Sequence, residues 1–238
     1  MRYCENTSAS IKQRLKLNIG CGLIAPSGWV NIDSSFNAKL AKWPGLRKML
    51  AALHIMPLAK AEIPYPRNIY VHDIRRGLPF PDNSAEVIHC QFFLEHLSKQ
   101  DAQSFMKECY RVLSPQGVIR VTVPDLVQYA ELYIKGIGQI NRGTLMNEQL
   151  PAERFLEDLG LFEKESAATN ILIQLYKKIY NKNIHKWMYD EYSLTSLLKE
   201  HGFSNIQRKQ PYESLIKDIE KVDYDKFYNA ICLEAQKP

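Results

Sequence analysis

A chain of 238 residues can bury one sizeable core, and its 45% hydrophobic and 24% charged residues describe an ordinary folded protein, not a disordered one. The net charge of +5 comes from 31 basic and 26 acidic residues mixed along the chain, without the dense basic stripe of a nucleic-acid binder, so no nucleic-acid partner is expected. Cys4, Cys21, Cys90, Cys109 and Cys232 are odd in number and never spaced C-x-x-C, which argues against a disulfide framework or a zinc site and for reduced thiols in the cytoplasm. No other metal site is expected. The polar stretch 1–13 does not read as a signal peptide, and no run approaches the roughly 18 apolar residues of a membrane span.

In chain order, Leu15–Ile19 reads as a strand ending in a glycine turn, Trp29–Ile32 as a second strand ending at Asp33, and Asn68–His72 as a third ending at Asp73. Glu86–Cys90 is a fourth, and Val118–Val123 a fifth, stopped by Pro124. Residues 36–66 form an insertion, helical at its start and broken by Pro57, Pro64 and Pro66. The clearest helix follows the fourth strand. Ser98 and Asp101 form a capping-box-like start, and Ala102, Phe105, Met106, Cys109, Val112 and Leu113 recur at steps that give one apolar face. Ser114-Pro115-Gln116-Gly117 then reads as the turn into strand five.

From 125 to about 190 the pattern is mainly helical, without a glycine-rich linker, and reads as a cap on the same domain. A last helix over Ser193–His201 is closed by Gly202, and Phe203–Arg208 with Tyr228–Ala235 form a closing pair of strands. Strands alternating with helices predict an α/β fold: a mostly parallel, Rossmann-like sheet flanked by helices, all in one domain over 1–238.

In such sheets ligands bind outside the carboxyl ends of the strands. Strand one brings Gly20-Cys21-Gly22 to that edge, where missing side chains admit a ligand close to the backbone. Strand two brings Asp33, a carboxylate suited to both hydroxyls of a ribose, and strand three brings Asp73, suited to an adenine amino group. Residues 20–25 fit the dinucleotide pattern G-x-G-x-x-A literally. That pattern needs a helix whose N-terminus meets a pyrophosphate. Pro26 and Gly28 leave no room for one, and Asp33 follows Gly22 by only 11 positions where the nicotinamide fingerprint needs ~20. A ligand with one nucleoside and an amino-acid tail fits better than a dinucleotide.

The segments LNIGCG, GWVNID, HDIRRGLPFPDNSAEVIHCQFFLEHL, ECYRVLSPQGVIRVTVPDL and HKWMYDEYSLTSLLKEHGFSNI together resemble class I S-adenosylmethionine-dependent methyltransferases of the type 11 group. They cover most of the first 125 residues and return at 185–206. The resemblance implies a seven-stranded sheet and S-adenosyl-L-methionine as cofactor. It is closest to a subgroup with a short first loop, whose members often accompany polysaccharide or cell-envelope biosynthesis. By that resemblance Gly20, Cys21 and Gly22 cradle the methionine portion, Asp33 holds the ribose, Asp73 and Ile74 border the adenine, and Gln91 lines the pocket after strand four. Asn18 stands where most of the group has an acid, which weakens a water-mediated grip on the ammonium group. The shortened first helix removes the usual N-terminus from the methionine carboxylate.

For the acceptor side, Glu95-His96 stands where the group places residues facing the transferred methyl, and a histidine can take the proton of a hydroxyl. Its alternative is packing against the cap. Asp125 is a second candidate base or, equally, a helix N-cap. His185 can reach a hydroxyl, while Trp187 and Tyr189 can stack on a sugar or simply hold the cap. Arg75-Arg76 and the lysines of 176–186 can meet phosphate or form a solvated face. Cys21 and Cys90 flank the pocket without a base beside them and read as small apolar fillers. The expected activity is O-methylation of a sugar or another small hydroxylated, glycan-type metabolite. A non-catalytic module of the same fold and a nicotinamide-dependent oxidoreductase are the competing readings.

Overall fold

The computed structural model describes residues 14–56, 62–141, 150–161, 184–224 and 229–238. Its strands are β1 (Leu15–Ile19), β2 (Val30–Asp33), β3 (Ile69–Val71), β4 (Ala85–Gln91), β5 (Leu113–Pro124), β6 (Ser204–Arg208) and β7 (Ala230–Gln236). They form one sheet in the order β3-β2-β1-β4-β5-β7-β6, with β1 to β5 parallel and β7 antiparallel to both its neighbours. This is the mostly parallel, seven-stranded Rossmann-like sheet expected above. The inner strands are near-continuous apolar runs because both faces of a parallel sheet are covered.

The helices are α1 (Phe36–Ala41), α2 (Pro44–Ala52), α3 (Lys99–Val112), α4 (Leu126–Asn141), α5 (Pro151–Asp158) and α6 (Glu191–Glu200). Helix α3 starts where the sequence places it: the Ser98 hydroxyl accepts from the Asp101 amide, and Ala102, Phe105, Met106, Cys109 and Val112 are buried. They pack with Ile19, Ile88, Ile119 and Leu198 in the main core. Helix α6 begins two residues before the expected Ser193, because Asp190 and Ser193 close a capping box at its N-terminus. The turn expected before strand five lies inside β5. Leu113 already pairs with Ala85, residues 114–117 loop out with Gln116 at φ 63°, and pairing resumes at Val118 opposite Val87.

The connection from β1 to β2 holds no helix. Asparagine side chains satisfy its backbone instead: Asn18 donates to the Ile24 carbonyl, Asn31 to those of Pro26 and Trp29, and Asn68 to that of Ala25. On this side of the sheet the stretch between β6 and β7 contributes to the cover. Its Ile216, Ile219 and Val222 pack with Trp29, Val87 and Val118. Of the cap expected over 125–190, the structure describes α4, α5 and residues 184–190; Tyr133 and Phe155 join the two helices with ring centroids 5.1 Å apart. The lysines at 176–183 and the break expected at Pro57 lie outside the described residues.

Candidate active site

The glycine turn is bonded directly to the end of β2. The amides of Gly20 and Cys21 donate to the Ile32 carbonyl at 2.8 and 3.2 Å, and the Gly22 amide donates to Asp33 Oδ2 at 2.9 Å. Asp33 Oδ1 accepts from the Ser35 amide at 2.6 Å, so this buried carboxylate fastens the turn on one side and the start of α1 on the other. Both glycines have φ in the left-handed region, +68° at Gly20 and +53° at Gly22, but for different reasons. A Cβ on Gly20 would lie 2.7 Å from the Phe93 ring, whereas one on Gly22 would meet nothing within 4 Å. Gly20 is therefore required by packing, whereas no atom of the described residues crowds Gly22.

The Asn18 amide is held by neighbours within the protein. Nδ2 donates to Ile24 and to Asn31 Oδ1, and Oδ1 lies 3.1 Å from His89 Nδ1, which engages both ends of the group. Asn18 belongs to a row of polar side chains at one level of the sheet. Asn31, Asn18, His89, Arg120 and Glu234 are paired in register across β2, β1, β4, β5 and β7. Asp223 joins them, 3.3 Å from His89 Nε2 and 2.7 Å from the Arg120 guanidinium, which also donates to Glu234 at 2.9 Å. The side chains of Arg120 and Asp223 are completely inaccessible. Burial opposes ionisation of Asp223, but the hydrogen bonds from His89 and Arg120 outweigh it and hold its carboxyl below the ordinary range. The row runs from a buried ion pair to the glycine turn, and single-sequence reading missed it because each member looks isolated in its own strand.

At the end of β3 the Asp73 carboxylate caps a short 3-10 turn over Ile74–Arg76 and is clamped by Arg75, Nε at 2.8 Å and Nη2 at 2.5 Å. The Arg75 hydrogen bonds pull its pKa down to about 2. Arg75 is thus engaged by a neighbour, not held ready for phosphate. Ile74 is buried in the main core, leaving its backbone as the group it can offer. Tyr65, from the proline-broken insertion, was not anticipated: its hydroxyl lies 3.2 Å from Ser35 Oγ, and burial followed by the Asp33 charge pushes it up. Burial likewise raises the Cys21 thiol to about 12, and the Cys90 thiol is pushed up by burial too. Neither is a nucleophile at neutral pH.

Beyond β4 the chain bends sharply, with Phe92 at φ 50°, a costly conformation for an aromatic residue. The bend sets Phe93 against Gly20 and delivers the 3-10 turn Leu94–His96. Gln91, at the strand end, donates to the Tyr224 carbonyl, while its buried Oε1 has no partner among the described residues. Residues 184–190 are pinned to this edge. The amides of Lys186 and Trp187 donate to the Glu95 carbonyl at 2.8 and 3.2 Å, and the Leu126 amide donates to the Tyr189 carbonyl. The His96 and His185 rings, 89 positions apart in the chain, come to a centroid distance of 4.9 Å. His185 Nε2 lies 4.0 Å from Glu95 Oε1. Gly160, at φ +65°, makes this possible, since a Cβ there would lie 2.9 Å from the His185 ring.

Burial, then the neighbouring His185 and Lys186, lowers His96 to about 4, and burial lowers His185; both rings are neutral at pH 7. Burial raises Glu95 to about 8. Asp125 takes the N-cap alternative: Oδ1 accepts from the Val127 amide and Oδ2 from Gln128 Nε2, with Arg208 3.9 Å away. Tyr189 is 3% exposed in the core and so is unavailable for stacking on a sugar. Trp187 is half-exposed, with the Lys99 ammonium 5.3 Å from its ring centre.

Residues 34–121 match the family model described as a methyltransferase domain. The matched stretch runs from just after β2 into β5 and so takes in β3, β4 and α3. A probable S-adenosylmethionine-dependent methyltransferase of Mycolicibacterium smegmatis is 38% identical over 66 residues, 28% of this chain. That match spans only 25% of the relative's own length. Among solved structures, a methyltransferase of this cofactor class from Methanosarcina mazei superposes with a TM-score of 0.47 at 17% identity, over 95% of this chain and 93% of that one. One from Archaeoglobus fulgidus does so at 0.43 and 14%, over 95% and 87%. No helix among the described residues is long and apolar enough to cross a membrane.

Proposed function

We propose that this chain transfers the methyl group of S-adenosyl-L-methionine to a hydroxyl of a sugar or another small hydroxylated metabolite. The observation that carries this reading is the open left-handed turn at Gly22, fastened to the Asp33 carboxylate. The turn leaves space for the amino-acid tail, and Asp33, whose two oxygens each retain a lone pair beyond their amide bonds, can receive the ribose hydroxyls. The backbone at Cys21, the unpartnered Gln91 Oε1 and the backbone at Asp73–Ile74 border the rest of the nucleoside. Asn18 acts indirectly, by holding the turn. A dinucleotide has no helix N-terminus here to meet its pyrophosphate.

A sulfonium is already an activated electrophile, so in-line placement of the acceptor supplies much of the rate. The acceptor hydroxyl is placed beside Glu95, His96 and His185, where its proton leaves, while Asp125 is a capping residue. Half-exposed Trp187 offers an apolar face to a sugar ring. The test is acceptor-dependent formation of S-adenosylhomocysteine across matched panels of sugars, sugar nucleotides and amines. Turnover with hydroxyl acceptors is expected. Turnover confined to amines overturns the acceptor class, and none with any panel favours a binding module of the same fold.

A further inference from the structure

We propose that Glu95, His96 and His185 form a binding site for one first-row divalent metal ion of the zinc type. Each of the three offers one ligand atom, and these atoms all lie within 4.8 Å of one another. In a tetrahedral zinc site with bonds of about 2.1 Å, neighbouring ligand atoms stand about 3.4 Å apart, so the cluster needs to contract by up to about 1.4 Å. Two imidazoles and one carboxylate are the ligand set of many zinc and iron sites, whereas magnesium and calcium prefer oxygen alone.

An independent observation points to a cation. Glu95 is 1% exposed, and its Oε2 is sealed from solvent with no hydrogen-bond partner among the described residues. A buried carboxylate oxygen without a donor is costly, and a cation bound at this point removes that cost. The supporting geometry fits as well. His96 Nδ1 lies 3.5 Å from the Ile184 carbonyl, so ligation through Nε2 would give that ring the outer partner that metal-bound histidines generally have. His185 directs Nε2 towards Glu95 and is seated by Gly160. Three protein ligands leave at least one coordination position open.

What occupies that position rests on the methyl-transfer reading above. The acceptor hydroxyl binds the ion through oxygen and becomes more acidic, and its proton leaves to solvent. The oxygen then forms its bond to the methyl carbon while the C–S electron pair returns to sulfur. In that arrangement the imidazoles hold the ion, and neither takes the proton.

The test is titration of the chelator-treated full chain with Zn²⁺ by calorimetry and with Co²⁺ by visible absorption, each with and without S-adenosylhomocysteine. One ion per chain is expected at micromolar or tighter affinity, with ligand-field bands for Co²⁺. His96→Ala, His185→Gln and Glu95→Gln should each weaken binding at least tenfold, and exposed His54→Ala should leave it unchanged. Circular dichroism of the metal-free variants checks folding, and His185→Gln carries the test if Glu95→Gln does not fold. Binding no tighter than millimolar, or affinity unchanged in both histidine variants, overturns the site. Metal binding without S-adenosylhomocysteine binding keeps the site and removes the methyl-transfer reading; the reverse keeps that reading and removes the site.

Discussion

Gly20 and Gly22 share a backbone conformation and differ in what faces them, so the same substitution separates structure from binding. Gly20→Ala drives a methyl group into the Phe93 ring on a left-handed backbone, and should cost about 2–4 kcal/mol of stability by urea unfolding. Gly22→Ala incurs only the backbone penalty, about 1–2 kcal/mol, because no atom of the described residues lies within 4 Å of its Cβ position. Its new methyl group stands where the ligand tail would lie, so affinity for S-adenosylhomocysteine should fall at least tenfold. A Gly22→Ala chain that binds normally removes the turn from the site. The G-x-G spacing was legible in the sequence. The difference between the two glycines was not, because it depends on Phe93, more than seventy positions away.

Among the elements, the polar row across β2, β1, β4, β5 and β7 decides whether the turn is held in place. Asp223→Asn keeps the shape but leaves Arg120 short of charge, and should destabilise the protein by about 3–5 kcal/mol at pH 7. Asp223 titrates lower in the folded chain than its ordinary 3.8, so its stabilising contribution is complete above that value and disappears as pH falls through the folded one. The gap between wild type and variant in urea midpoints should therefore narrow below pH 3.8; a gap constant down to pH 2 contradicts the assignment. Asp125→Ala should cost about 0.5–2 kcal/mol, as loss of an N-cap does. A larger loss in turnover than this stability change explains would return Asp125 to the chemistry.

At the scale of the whole molecule, the sheet was legible because parallel strands are long apolar runs punctuated by Gly20, Asp33, Asp73 and Pro124. The helix α3 was legible through its cap and its apolar period. The cover from 209–224 was not, since that stretch has no regular period and its Ile216, Ile219 and Val222 meet Trp29, Val87 and Val118 only in the folded chain. The pairing of His185 with His96 was also out of reach, because only the packing of residues 184–190 on the ends of β4 and β5 brings the rings together. What the molecule presents as a unit is one sheet edge, with the glycine turn fastened to Asp33 at one place and a histidine–glutamate cluster beyond β4 at another.

The most direct measurement of that account is calorimetric titration of the wild-type chain and of Asp33→Ala with S-adenosylhomocysteine and with NADH. The account predicts one S-adenosylhomocysteine per chain at sub-millimolar affinity, no NADH binding, and at least a hundredfold loss in Asp33→Ala with its thermal transition retained. Binding of NADH in preference, or unchanged S-adenosylhomocysteine affinity in a folded Asp33→Ala, would contradict it.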